Sequence, residues 1–236
     1  MSFLLQVGQW LISPGHWQGL NGIPNRTLEH IEMSVAATLA AALIAIPIGA
    51  ILGHSGRGGL IAVNVSNVGR ALPSFAILVI ALQFFGIGAK PAFVALVALA
   101  IPPMLTNTYV GFRGVDPEIR EAAKGLGLRP TQVMLRVELP LALPIVMAGV
   151  RTSGVNVVAT ATLAALVAWG GLGRYIIDGL GQRDLVQVFA GAVLVAALSM
   201  VAEGFLAGLQ WATTPRGLRQ SRLARGRSQD HTVAAA

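Results

Sequence analysis

The sequence predicts an all-α, polytopic membrane protein with about five transmembrane helices, and three observations carry that prediction. Hydrophobic residues fill 54% of the 236 positions and charged residues 11%, against about a quarter charged in soluble domains. Apolar stretches close to the roughly 20 residues that a bilayer-spanning helix needs recur about five times. The basic residues gather at the ends of those stretches, as membrane topology requires.

The elements follow in chain order. Met1 to Trp10 has neither the basic start nor the small-residue cleavage site of a signal peptide. It is read as part of the mature chain, at the membrane surface, within an external segment of residues 1–26. Span one takes Thr27 to Gly53, and the Gly- and Arg-containing link from His54 to Gly59 ends it. Span two, Leu60 to Phe85, is interrupted between Gly69 and Ser74. There Pro73 removes a backbone donor and bends the chain, which lipid tolerates only where protein or a water-filled cavity satisfies the freed groups. Span three, Ala92 to Phe112, carries Pro102 and Pro103. The longest polar stretch between spans, Arg113 to Glu138, separates it from span four, Leu141 to Val167. A loop with Gly170, Gly171 and Gly173 leads to span five, Val188 to Ala212, and residues 213–236 form a basic tail expected to be disordered. Residues 27–212 thus make one transmembrane domain, with its principal loop at 113–140 and no internal repeat.

Lys and Arg near span ends are held on the cytoplasmic side. With the tail inside, five spans leave the N-terminus outside. Of the 17 basic residues, the inner segments then hold Arg57; Arg113, Arg120, Lys124, Arg129 and Arg136; and Arg216, Arg219, Arg222, Arg225 and Arg227. The outer segments hold Arg26, Lys90, Arg174 and Arg183, and only Arg70 and Arg151 fall within spans. The long polar loop therefore faces the cytoplasm. The net charge of +7 is explained by topology and not by nucleic acid, because no aromatic residues are interleaved for base stacking. The absence of cysteine excludes disulfides, thiolate metal sites and thiol nucleophiles.

Within the cytoplasmic loop stand Glu121, Ala122 and Ala123, then Gly127, then Val137, Leu139 and Pro140. Asp116-Pro117-Glu118 starts a short helix, with acids at its positive end and Pro in the first turn. Ala122 and Ala123 permit close approach of a partner, and Gly127 ends the helix in a left-handed conformation. Pro140 is expected to start span four, where its missing donor costs nothing. The spacing resembles the EAA loop of ABC importer permeases, with Val137 in place of the usual Ile. That resemblance implies a type I importer permease bundle whose cytoplasmic coupling helix fits a cleft on a separate ATPase dimer. ATP and Mg would be bound by that ATPase, with no cofactor in this chain.

A second resemblance runs from about Arg70 to Gly191, through Leu72-Pro73-Ser74-Phe75-Ala76, Asn107-Thr108-Tyr109-Val110-Gly111, Val137 to Pro144, Gly149-Val150-Arg151-Thr152 and Gly170-Gly171-Leu172-Gly173. Together these look like the osmoprotectant permeases, which serve glycine betaine, carnitine or choline. Arg70-Ala71 stands where many of those proteins have Gln-Thr. The Gly-Gly-Leu-Gly loop occurs in methionine-importer permeases too, so methionine or another small solute is the alternative cargo. The resemblance implies a second permease chain, identical or homologous, and an extracytoplasmic solute-binding protein, in the bacterial cytoplasmic membrane.

Ionisable residues inside spans are costly and face the bundle interior in pairs. Arg70, Arg151 and Glu203 each lie about ten residues from the cytoplasmic end of their span, roughly 13 to 15 Å deep. Glu203 is therefore expected to neutralise Arg151, or Arg70, either to fix packing or to meet substrate. Thr152, Asn156 and Thr160 recur every four residues on span four, a polar stripe that either lines a passage or bonds neighbouring helices. Asn64, Asn67, Pro73, Ser74 and Asn107 are further candidates for the passage. Aromatic residues are few in the spans, so no cation–π cage is evident. Selectivity is expected in the binding protein.

A membrane enzyme would need converging His, Cys or carboxylates. The four His at 16, 30, 54 and 231 are scattered, His30 is expected at the interface, and no phosphate-binding Gly-x-x-x-x-Gly-Lys-Ser/Thr loop exists. A channel or secondary transporter would show repeat symmetry or a ring of like charge, and neither is present.

Overall fold

The computed structural model describes residues 2–59, 64, 67, 69, 71 and 73–215. Among these every regular element is helical. Helix α1 (Phe3–Ile12) and a 3₁₀ turn (Pro14–Trp17) precede α2 (Ile23–Ser55). Then come α3 (Ser74–Phe85), α4 (Ala89–Arg113), α5 (Pro117–Gly125), the continuous rod α6 (Pro130–Val167), α7 (Gly173–Gln182) and α8 (Leu185–Thr213).

Four of these, α2, α4, α6 and α8, are long and apolar enough to cross a bilayer. The fifth expected span, 60–85, lies partly outside the described residues. Its second half is α3, whose 12 residues reach only about 18 Å at 1.5 Å each, short of a hydrocarbon core of ~30 Å. The interruption falls at Pro73, which is extended (ψ 127°) and stands as the N-cap of α3.

Two boundaries differ from expectation for physical reasons. Pro140 does not start span four, because α6 begins at Pro130 and runs through it. The rod widens to a π-type turn over Val133–Glu138, and Leu139 N–H donates to Met134 O, five residues back. The ladder thus changes register just before the residue that has no N–H to give. The Gly-rich loop after span four is likewise not bare loop, since it holds α7. The expected tail beyond Pro215 lies outside the described residues.

Small residues draw the spans together. On α2, Ala37, Ala41 and Ala45 are fully buried, and Gly49 and Gly53 continue the same face at four-residue intervals. A Cβ on Gly49 would sit 2.8 Å from Leu105 O, and one on Gly53 2.6 Å from the Phe112 Cβ. Helix α4 meets α6 in the same way, with Gly149 against Asn107, and Ser153 O–H donates to Ala100 O at 2.8 Å. Large apolar side chains point outward instead: Leu43, Ile51, Met200, Val201 and Phe205 are all more than half exposed. Small inside and large outside is the pattern of helices packed in lipid.

Candidate functional site

Helix α5 is built by local rules. Asp116 caps it, its carboxylate accepting from Glu118 N–H at 2.9 Å, and Pro117 takes the first turn. At the other end Gly127 has φ +81°. Gly127 N–H donates to Lys124 O and Leu128 N–H to Ala123 O, the paired bonds of a Schellman stop. Ala123 is buried against its own chain, whereas Glu121, Ala122 and Gly127 are exposed. Ile119 is also exposed, and Leu126 is 82% exposed, so the outer side of α5 offers unpartnered apolar area beside its carboxylates. Leu139 and Pro140 are half-buried in α6, where Leu139 packs beside Ala50, Phe112 and Ala142.

Beneath α5 lies a group that local sequence pattern does not signal. Glu138, 1% exposed, closes the π-type turn of α6. Its Oε1 is 3.0 Å from Arg120 Nε on α5, an ion pair without hydrogen-bond alignment, and its Oε2 is 2.7 Å from His54 Nδ1 at the end of α2. Arg120 also donates to Phe112 O in the last turn of α4.

Within the spans Glu203 meets Arg151. Arg151 Nε donates to Glu203 Oε1 at 2.8 Å, Nη2 donates to the same oxygen, and Nη1 reaches Gln210 Oε1 at 3.3 Å. Gln210 in turn donates to Pro144 O at 3.0 Å. The pair is only half-buried and lines a cleft of about 370 Å³ with Thr152, Val155, Asn156 and Gln210. Arg70, the other partner considered for Glu203, lies outside the described residues.

The stripe on span four divides. Thr152 and Asn156 face the cleft, while Thr160, where the rod tightens to 3₁₀ geometry, lines a separate small space with Ser74. Asn107 donates to Pro103 O at 2.8 Å, within its own helix and against Gly149. Asn64, Asn67 and Pro73 are exposed.

This arrangement of spans and surface helix has known counterparts. Residues 45–210 match the family described as binding-protein-dependent transport system inner membrane component. The chain belongs to that family. It is 39% identical over 195 residues to the choline transport system permease protein OpuBB of Bacillus subtilis, covering 83% of this chain and 90% of that protein. It is 36% identical to the carnitine transport permease protein OpuCB of Listeria monocytogenes, covering 84% and 90%. The glycine betaine/carnitine/choline transport system permease protein OpuCB of B. subtilis is 37% identical, covering 82% and 89%. Among solved structures, an inward-facing form of the MetNI methionine ABC transporter aligns with a TM-score of 0.70 over 86% of this chain and 99% of that one. At 22% identity that likeness concerns the fold.

The permease has a second built region at the opposite end of its spans. Glu29 Oε2 accepts from Gly171 N–H at 2.7 Å and from Arg26 Nη1 at 2.9 Å, which pins the glycine loop to α2. A Cβ on Gly170 would collide with that carboxylate. His30 is 1% exposed and turned into the protein, with Nε2 2.8 Å from Val158 O. The imidazole fills the space between α2 and α6, and its carbonyl partner lies 128 residues away. Tyr175 O–H donates to Asn21 O at 2.6 Å, and burial pushes its phenol above the ordinary range, so it remains a donor. Few as the aromatic residues are, Phe85, Phe93 and Trp169 border one cleft of about 430 Å³, together with Glu32 and Lys90.

Proposed function

We propose that this chain is the translocating subunit of an ATP-driven importer for small compatible solutes such as glycine betaine, carnitine, choline or proline betaine. The observation that carries the ATP-driven reading is α5. It is a capped, Gly-terminated surface helix with Glu121, Ala122, Ile119 and Leu126 on its outer side. In this reading Glu121, Ala122, Ala123 and Gly127, with Leu139 and Pro140 behind them, receive the movement of a cytoplasmic ATPase dimer. ATP and Mg are held there and not in this chain. Closure of the dimer is passed on as rigid-body motion of the spans.

The cargo class rests on relatives named for choline, carnitine and glycine betaine at 36–39% identity. The cleft bordered by Phe85, Phe93 and Trp169, with Glu32 and Lys90 of opposite charge beside them, is in keeping with it, since aromatic side chains and a carboxylate suit a quaternary ammonium. The chain lies in the cytoplasmic membrane with its N-terminus outside and residues 213–236 inside. A solute-binding protein delivers cargo at the Glu32 end, and a second permease chain completes the pathway. Asn64, Asn67, Arg70, Pro73, Ser74, Asn107, Arg151, Asn156 and Thr160 are the candidates for its lining.

The test is reconstitution of permease, ATPase and binding protein in proteoliposomes with radiolabelled choline, carnitine and glycine betaine. Accumulation of at least one, strictly dependent on MgATP and the ATPase, is the expected result. Equal uptake by the permease alone would overturn the proposal.

A further inference from the structure

Among the described residues, Glu138 is the most deeply buried carboxylate, and its two oxygens join two different helices to a third. Oε1 faces Arg120 of α5 and Oε2 faces His54 of α2, from a backbone position on α6. Arg120 adds α4 through Phe112 O. A single cluster of three side chains thus ties the surface helix to three spans, α2, α4 and α6. The rest of α5 gives little purchase: Ala123 is its one buried residue, while Glu118, Ile119, Glu121, Ala122, Lys124 and Gly125 are all exposed.

Stability alone is a poor reason for this arrangement. Burying an ion pair forfeits hydration that its attraction barely returns, and apolar residues of equal volume hold helices together as well. What charges add is directional linkage. One carboxylate oxygen is paired with Arg120 and the other with His54, so a displacement of Arg120 along the membrane surface pulls on α2 and α6 together. The π-type turn places Glu138 where it reaches both, and such turns are frequent at functional positions.

We infer that Glu138, held between His54 and Arg120, is the positioning residue that locks α5 to α2, α4 and α6, so that movement of the surface helix becomes movement of the spans. This deepens the proposed function and rests on its ATP-driven reading.

The experiment uses the full complex of permease, ATPase and binding protein, wild type against Glu138→Gln, with two readouts. The first is solute moved per ATP hydrolysed. It is expected to fall about tenfold, within the range by which single residues modulate coupling. A role confined to stability would reduce the yield of complex and leave that ratio unchanged. The second is the distance distribution between spin labels at Ser55→Cys and Lys124→Cys, both exposed, in a chain with no native cysteine. It is expected to be narrow with Glu138 present and broad with Glu138→Gln. Where Glu138→Gln does not assemble, His54→Gln removes the link to α2 from its half-exposed end and is held to the same two outcomes. A narrow distribution with wild-type stoichiometry overturns the inference. A wild-type complex that moves solute without ATP overturns the proposed function instead, and the distance distributions then still decide whether Glu138 locks α5 to the spans.

Discussion

Gly127 holds φ at +81° with open space where a side chain would stand. The demand for glycine there is conformational, not steric: an L-residue in the left-handed region costs roughly 1–2 kcal/mol, and β-branching adds to it. Gly127→Val is therefore expected to loosen the Schellman stop, shift Leu126 and Leu128, and reduce ATP-driven uptake severalfold. Insertion and complex assembly should be retained, as measured by size-exclusion chromatography beside proteoliposome uptake. Uptake at the wild-type level would count against α5 as the receiving surface. Arg151 and Glu203 call for a different test, because their shared hydrogen bonds tie the two residues together. Arg151→Gln and Glu203→Gln should each lower transport by leaving an unpaired charge within the spans. The exchange Arg151→Glu with Glu203→Arg should recover part of it, and an exchange that recovers nothing would show that charge neutralisation is not what the site supplies.

The face of α2 that runs from Ala37 through Ala41, Ala45 and Gly49 to Gly53 lets the backbone approach α4 closely. Gly53→Leu places a side chain where Phe112 Cβ and Tyr109 O already lie within 3 Å of the Cβ position. Overpacking of this kind costs about 1–3 kcal/mol. The thermal unfolding midpoint in detergent should drop, while Ile51→Leu on the exposed side of the same helix should leave it unchanged. Stripes, caps and stops are legible in sequence because each is set by neighbours three to five residues away. The places of the long spans are legible because bilayer thickness sets a minimum apolar length, although α2 and α6 overrun it. The course of the chain at Pro140 was not, since a π-type turn just before it changes the register that local rules assume. Glu138 was not legible either: His54 is 84 residues distant, and no periodicity links two residues that only the packed bundle brings together. His30 and Val158 repeat that lesson at the other end of α2. The gathering of Phe85, Phe93 and Trp169 repeats it for a site assembled from the end of α3, the first turns of α4 and the turn after α6.

Among the described residues, large apolar side chains point outward along the spans, and a polar cleft interrupts them. The cleft bordered by Arg151, Thr152, Asn156, Glu203 and Gln210 is open to the outside of the single chain at the depth of the spans. Hydrocarbon does not solvate such groups, so either water or another protein chain faces them in the assembled importer. The two cases are separable because the chain has no cysteine of its own. Asn156→Cys is expected to react with a membrane-impermeant, charged methanethiosulfonate in the complete complex, at a rate that changes when ATP is bound and the pathway changes its opening. Val201→Cys, on a residue 68% exposed but flanked by apolar neighbours, should stay unreactive because it faces lipid. If Asn156→Cys is protected in the complex and reacts only when the permease chains are separated in detergent, the cleft is the seam between two permeases and not the solute path. Equal protection of both positions under every condition would place the cleft against lipid and remove Arg151 and Asn156 from the pathway altogether.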